Sequence, residues 1–406
     1  MRTVLPILLL AVVLLMPREV PAAERVVAAT LDNGLRVLLL EDHRSPIVSF
    51  QVWYRVGSRD EQRGATGIAH FLEHMMFKGT PTRGPKQFAR LVEENGGQDN
   101  AFTSQDVTSY FVDIAADKLD LVIELEADRM QNLLLDPKEI ASEREVVIEE
   151  RRTRTEDDPG GFLGEEVNSI AFKAHPYGYP IIGWMEDIKR ITPAEIRAFY
   201  KTYYVPNNAL VVTVGAFEAP AVLGKIRRSF GRIPRGKTPP PMLAVEPPQN
   251  GERRVTVRKE AELPIVYLGW HVPNQRSNDA PALEVLSTIL SGGRASRLYR
   301  DLVYQRQLAL EAELSKHMER LKTEPVTDEE LARAKNQIES AFVFQDDSVH
   351  RRAALLARFE LIGGYELKDS FITKIRAVTA ADLTRVAGAW FAPDRKSVGV
   401  LLPKAR

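Results

Sequence analysis

The stretch His70-Phe71-Leu72-Glu73-His74 sets ionisable side chains inside a segment that is apolar on every side. Ile68, Ala69, Phe71, Leu72, Met75 and Met76 surround them, and a helix that is apolar all round has to be buried. Burying two imidazoles and a carboxylate without partners is strongly unfavourable. Any fold this chain adopts must therefore supply a partner at that point. Residues four apart lie on one face of a helix, so His70 and His74 can reach a single ion. Glu73 sits on a neighbouring azimuth, where it can hold and deprotonate an ion-activated water without being a ligand itself. Zinc makes that chemistry available near neutral pH. A surface helix with two spare histidines does not suit these apolar neighbours.

A chain of 406 residues with 44% hydrophobic content exceeds the ~250–300 residues at which single cores stop growing, so more than one core is expected. Lys+Arg and Asp+Glu both total 55. That balance argues against nucleic acid as a partner. Cysteine is absent, which excludes disulfides and thiolate ligands and leaves His, Asp or Glu for any metal. The segment 1–22 reads as a signal peptide. Met1-Arg2-Thr3 is followed by an apolar run from Val4 to Met16, Pro17 ends the run, and Val20-Pro21-Ala22 offers a cleavage site. The run is shorter than the ~20 residues a spanning helix needs. The expected mature chain is exported, periplasmic or extracellular, with no stable membrane span.

Strands are expected at 25–30, 35–41 and 47–54, with Asp32-Asn33-Gly34 as a hairpin signal. Helical patterns follow near 67–78, 85–95 and 118–135, with strands inside 100–114 and at 209–215. Asp136-Pro137 opens a further helix, which Asp158-Pro159-Gly160-Gly161 is expected to close. A Pro-rich linker at 233–252 then separates an N-terminal domain, 23–232, from a C-terminal one, 253–406. The pattern restarts after the linker. Ser45-Pro46-Ile47-Val48 recurs as Leu263-Pro264-Ile265-Val266, each followed by an apolar helix ending at glycine. In the second copy Leu283, Leu286 and Ser287 stand where the first has His70, Glu73 and His74. Only the first half carries the chemistry.

Catalytic zinc needs a third protein ligand and an open position. On the helix opened by Pro137, Glu143 and Glu150 are seven apart and share a face, beside apolar Ile140, Val146 and Val147, while Glu149 points elsewhere. Taken alone, these carboxylates fit a ligand role and a solvated charged face running on into 151–154 equally well.

The run from Gly67 to Thr80, GIAHFLEHMMFKGT, resembles the M16 (pitrilysin) family of zinc peptidases in its half-length form, whose signature is this inverted His-x-x-Glu-His order. Its distal motif is matched by ERE…EE from Glu143 to Glu150. The resemblance implies one zinc per chain, held by His70, His74 and Glu150. Glu73 would be the catalytic base, and Glu143, the other catalytic carboxylate, would orient a histidine. Gly96–Thr103 is similar to the family's substrate-binding edge strand, which implies peptide contacts at Asn100, Ala101, Phe102 and Thr103 by strand addition. The residues alone favour an ordinary hairpin there. His175-Pro176-Tyr177-Gly178 also resembles a family element and is given no catalytic role. The implied fold is α+β: two similar domains, each a largely antiparallel sheet with helices packed on one face. The implied activity is endopeptidase action on extended or unfolded peptides, in a homodimer or a heterodimer with a second subunit of the same type. Leu308-Ala309-Leu310 runs directly into the helical pattern at Glu311, so the second domain reads as shortened. A peptide-binding subunit that is non-catalytic or needs a partner is the alternative. Arg297 and Tyr299 are read as helix anchors.

Overall fold

The computed structural model describes residues 25–305 and 311–404. The expected signal segment and the junction at Leu308–Leu310 lie outside the described residues. The first sheet contains β1 (Val27–Thr30), β2 (Arg36–Glu41), β3 (Ile47–Tyr54), β4 (Gln98–Thr103), β5 (Thr108–Ala115) and β6 (Ala209–Gly215), in the order β1-β2-β6-β3-β5-β4. The pairing is antiparallel except between β2 and β6. Inside the sheet β2 and β6 are buried on both faces, which is why they read as unbroken apolar runs. Val37, Leu39 and Val211 enter the main core, while Leu38, Leu40, Leu210, Val212 and Val214 enter another on the opposite face. At the edge, β4 alternates exposed and half-buried residues.

The main core is closed by helices, among them α1 (Ile68–Met75), α2 (Gln87–Glu94), α3 (Leu119–Asn132), α4 (Pro137–Arg151) and, further along the chain, Pro193–Tyr203 and Ala219–Ser229. Arg129 of α3 is 2% exposed, bonded to the equally buried Glu126 at 2.5 and 2.8 Å. Its guanidinium lies 4.1 Å from the Phe88 ring centre, 4.5 Å from Tyr110 and 5.1 Å from Phe77. This buried ion pair with its cation–π contacts ties α2, α3 and β5 together behind β4.

The sheet's other face is covered from a distance in sequence. Helix Val349–Ile362 lays Val349, Ala353, Leu356 and Ala357 onto Leu38, Leu40, Trp53 and the β6 side chains. Exchange runs the other way too. Asp158-Pro159 does not merely close a helix as expected; it opens α5 (Pro159–Ala171), with Asp158 accepting from Gly161 N at 2.6 Å. Asp at the N-cap followed by Pro is a start signal, and the preceding helix ends in a π-turn at Arg152–Glu156. From the first half, α5 crosses to cover the second sheet, β7 (Arg253–Lys259), β8 (Ile265–Trp270) and β9 (Lys396–Pro403), through Leu163 and Val167 against Leu401.

The second sheet has the order β7-β9-β8, β7 parallel and β8 antiparallel to β9. A separate helical core surrounds Val285, Leu286 and Ile289 of the helix Ala280–Ser291. Arg297 makes two bonds to Glu330, at 2.8 and 2.7 Å, and so anchors a helix. The fold is mixed α+β, with two sheet-and-helix units. The Pro-rich stretch between them has no regular secondary structure. It is pinned by Glu246, which accepts from the backbone N–H groups of Lys173, Ala174 and His175 at 2.8, 2.8 and 2.9 Å.

Candidate metal centre and active site

The entry to α1 is fixed by backbone geometry. Gly67 takes φ 87°, and a Cβ there would lie 2.4 Å from the Ile182 carbonyl oxygen. Only glycine fits both demands. The buried Glu61 carboxylate then accepts from Gly67 N at 2.8 Å and Ala69 N at 2.9 Å, satisfying two of the free N–H groups at the helix start. Burial pushes the Glu61 carboxyl well up, and these two bonds oppose it. Helix α4 is tied down beside α1. Arg151 bonds the Gly183 carbonyl at 2.7 Å and the Glu165 carboxylate at 2.8 and 2.9 Å, and Arg144 bonds the Ile188 and Ile191 carbonyls. The seven-residue spacing of Arg144 and Arg151 repeats that of Glu143 and Glu150, so fixing one row aims the other.

That second row meets α1. Glu150 Oε2 lies 3.3 Å from His74 Nε2 and 3.7 Å from His70 Nε2. The donor atoms of His70, His74 and Glu150 all fall within 4.8 Å of one another. Ligands at ~2.0–2.2 Å around a tetrahedral zinc are separated by roughly 3.3–3.6 Å. Two imidazole nitrogens and a carboxylate oxygen spaced this way fit a zinc ion with a fourth position left open. Glu143 Oε1 receives His74 Nδ1 at 2.9 Å, and its other oxygen pairs with Lys78. The far oxygen of Glu150 pairs with Arg154 at 2.8 Å. Among the described residues, His70 Nδ1 has no hydrogen-bond partner. Glu149 is exposed and pairs with Arg152.

Electrostatics separates the two histidines. Burial, reinforced by the His74 cation, lowers His70. Burial also disfavours charge on His74, but its bonds to Glu143 and Glu150 outweigh that and raise it to about 9. Bonding to His74 holds Glu150 below the usual range. Burial works to raise Glu143, yet His74 and Lys78 bring it down. Glu73 is pushed up by burial, with the Thr103 hydroxyl acting against the shift.

The other residues singled out in the sequence do not form one surface. Side chains alternate along β4, so Thr103 and Ala101 face α1 and the main core, whereas Asn100 and Phe102 face the opposite side. Thr103 Oγ1 donates to Glu73 Oε2 at 2.5 Å. Phe102 meets Trp53 edge to face, with ring centres 5.4 Å apart. Asn100 caps its neighbour's backbone, Ala101 N, at 2.8 Å. Among the described residues no strand pairs with the outer edge of β4. Sequence reasoning missed Thr103 as a partner of Glu73, and Arg154. It also missed Lys78, although that residue is four after His74 and on its face.

Comparison with known proteins identifies the family. The family described as Insulinase (Peptidase family M16) matches residues 36–184, and the Peptidase M16 inactive domain matches 190–317. The zinc protease PqqE of Helicobacter pylori is 32% identical over 92% of this chain and 92% of its own length. An uncharacterized zinc protease of Mycobacterium tuberculosis is 35% identical over 72% of this chain and 68% of its own. The crystal structure of a protease from Helicobacter pylori superposes with a TM-score of 0.91 at 31% identity, covering 94% of this chain and all of that one. The periplasmic protease PqqL from Escherichia coli, at 18% identity and a TM-score of 0.73, shares the fold over 93% of this chain and 47% of its own. The chain belongs to peptidase family M16, among relatives named as zinc proteases.

Proposed function

We propose that this chain is a zinc-dependent endopeptidase acting on extended or unfolded peptides, with one zinc held by His70, His74 and Glu150. The observation that carries the reading is the convergence of those donors beside Glu73, next to a strand edge left open for a substrate. Zinc held there would supply Lewis-acid polarisation of the scissile carbonyl and would acidify a bound water. Glu73 takes a proton from the attacking water and passes it to the leaving amine. Its buried setting, which raises its pKa, suits a group that must both accept and return a proton. Glu143 receives the His74 Nδ1–H and holds the ring with Nε2 toward Glu150, where it would be free to bind the ion. Lys78 in turn fixes Glu143. The backbone of β4 at Asn100–Thr103 pairs with the peptide, and Phe102 offers an apolar contact on the far side.

The leading segment 1–22 is removed on export, and the chain works in the periplasm or outside the cell. Among the described residues no helix is long and apolar enough to cross a membrane. Pairing with a second copy, or with another M16-type subunit, would enclose the site.

The test is cleavage of an unstructured fluorogenic peptide by the purified chain, with zinc, after chelation and as Glu73→Gln. Zinc-dependent cleavage that disappears in Glu73→Gln supports the proposal. One observation favours a second reading, a subunit that needs a partner for catalysis: the second sheet has three strands among the described residues, against six in the first. Full zinc loading with no cleavage until a second M16-type subunit is added would select it.

A further inference from the structure

The sequence singles out His175-Pro176-Tyr177-Gly178, and the chemistry above leaves that turn unused. Its Tyr177 hydroxyl donates to Asp106 Oδ1 at 2.6 Å, and Arg59 Nη1 reaches the same oxygen at 2.6 Å. Asp106 sits in the turn that joins β4 to β5, three residues beyond Thr103. The backbone of that turn is clasped as well. Ser58 N donates to Ser104 O at 3.1 Å and Arg59 N to Gln105 O at 3.0 Å. The approach at Gly57 is so close that a Cβ there would lie 2.2 Å from the Ser104 oxygen. Within the turn, Ser104 Oγ accepts from Val107 N at 3.1 Å. The last residue of β4 is therefore held from Asp106 by Arg59 and Tyr177, and from the backbone by 57–59. What it presents to the active site is the Thr103 hydroxyl on Glu73.

We propose that Thr103 is a positioning residue for Glu73, set in place by the Arg59–Asp106–Tyr177 clamp on the β4–β5 turn. This rests on the reading of Glu73 as the base and of β4 as the substrate strand. One carboxylate oxygen is occupied by the hydroxyl, which leaves the other for water. The hydroxyl belongs to the strand whose backbone would pair with the peptide, so the base and the scissile bond share one reference frame. Displacement of a reacting group by ~1 Å can lower a rate 100-fold, which gives a clamp of this kind a kinetic consequence.

Thr103→Val, Thr103→Ser and Tyr177→Phe are compared with the parent chain for kcat, KM and bound zinc. Thr103→Val is expected to lower kcat about 10- to 100-fold, with KM changed less than about 2-fold and zinc retained. Thr103→Ser should recover kcat to within about 3-fold, because the donor is kept. Tyr177→Phe should lower kcat by a smaller factor, again with KM and zinc unchanged. A readout without turnover runs beside these: thermal unfolding of zinc-free Thr103→Val, Glu73→Ala and the double variant. The valine is expected to lower Tm in the parent background and to leave it unchanged when Glu73 is absent. Unchanged kcat in Thr103→Val, a loss confined to KM, or additive Tm losses would each overturn the proposal. A parent chain that is inactive when loaded with zinc counts against the peptidase reading instead, and the unfolding cycle then decides the Thr103–Glu73 link alone.

Discussion

Both sheets of this protein contain the same three-strand unit. In the first, β2 runs parallel to β6 and β6 antiparallel to β3; in the second, β7 runs parallel to β9 and β9 antiparallel to β8. β3 and β8 each begin at the isoleucine of a Pro-Ile-Val sequence. From this shared unit the halves diverge. The first adds β1 on one side and β5 and β4 on the other, and ends in an edge strand beside α1. Among the described residues the second adds none of these. Where α1 carries His70, Glu73 and His74, the helix of the second half carries Leu283, Leu286 and Ser287, and Leu286 is core. One helix position thus carries the candidate metal donors in one half and packing side chains in the other. The extra strands occur in the half that carries the candidate site. The halves are also bound to each other, since α5 covers the second sheet and the helix Val349–Ile362 covers the first.

That exchange gives the most severe way to break the comparison. A fragment of residues 25–252 lacks the helix over Leu38, Leu40, Leu210 and Val212. It is expected to give no cooperative unfolding transition by circular dichroism; a cooperative transition like that of the whole chain would mean that the halves are independent. Next comes chemistry. Glu73→Gln is expected to lower kcat by roughly 10²–10⁴ while zinc stays bound, as read by peptide cleavage and metal analysis. Arg129→Ala strands Glu126 in the first core and should cost about 3–5 kcal/mol, measured by denaturant unfolding. At the position in the second half that matches Glu73, Leu286→Ala should cost about 2–5 kcal/mol and leave zinc content untouched. Lost zinc in that variant would argue that the second half contributes to the site.

The smallest effect concerns the linker that joins the halves. Burial works to raise Glu246, but three backbone N–H groups and Arg253 hold its carboxyl down at about 2. A folded pKa below the unfolded value of 4.5 gives stability that is present above pH 4.5 and lost as pH falls toward 2. The Tm difference between the parent chain and Glu246→Gln should therefore be constant above about pH 5 and close toward pH 2. A difference that does not vary with pH would mean the carboxylate's charge contributes nothing.

Much of the first half was legible because its signals are local. β3 falls where alternation puts it and β6 where an unbroken apolar, β-branched run puts it, and the α1 motif announces itself by its apolar surroundings. The seven-residue spacing of Glu143 and Glu150 shows a shared face but not what lies opposite, and the residues alone could not choose between metal and solvent. Asp158-Pro159 carries both a stop and a start; the start was missed because Gly160 and Gly161 read as breakers, although the cap and Pro of the first turn tolerate them. The helix exchange could not be seen at all. The apolar stripe at Val349, Ala353 and Leu356 requires a sheet face, and nothing local says which sheet. Contacts such as Thr103 with Glu73 and Tyr177 with Asp106 join residues 30 and 71 positions apart, and no periodicity encodes them.

The most direct test of the account is zinc stoichiometry in the parent chain, His74→Ala, Glu150→Gln and Leu286→Ala, measured by elemental analysis after dialysis. The account predicts one zinc per chain in the parent and in Leu286→Ala, with little or none in His74→Ala and Glu150→Gln. Zinc retained in full by Glu150→Gln and His74→Ala, or absent from the parent after zinc loading, would contradict the placement of the metal between α1 and α4.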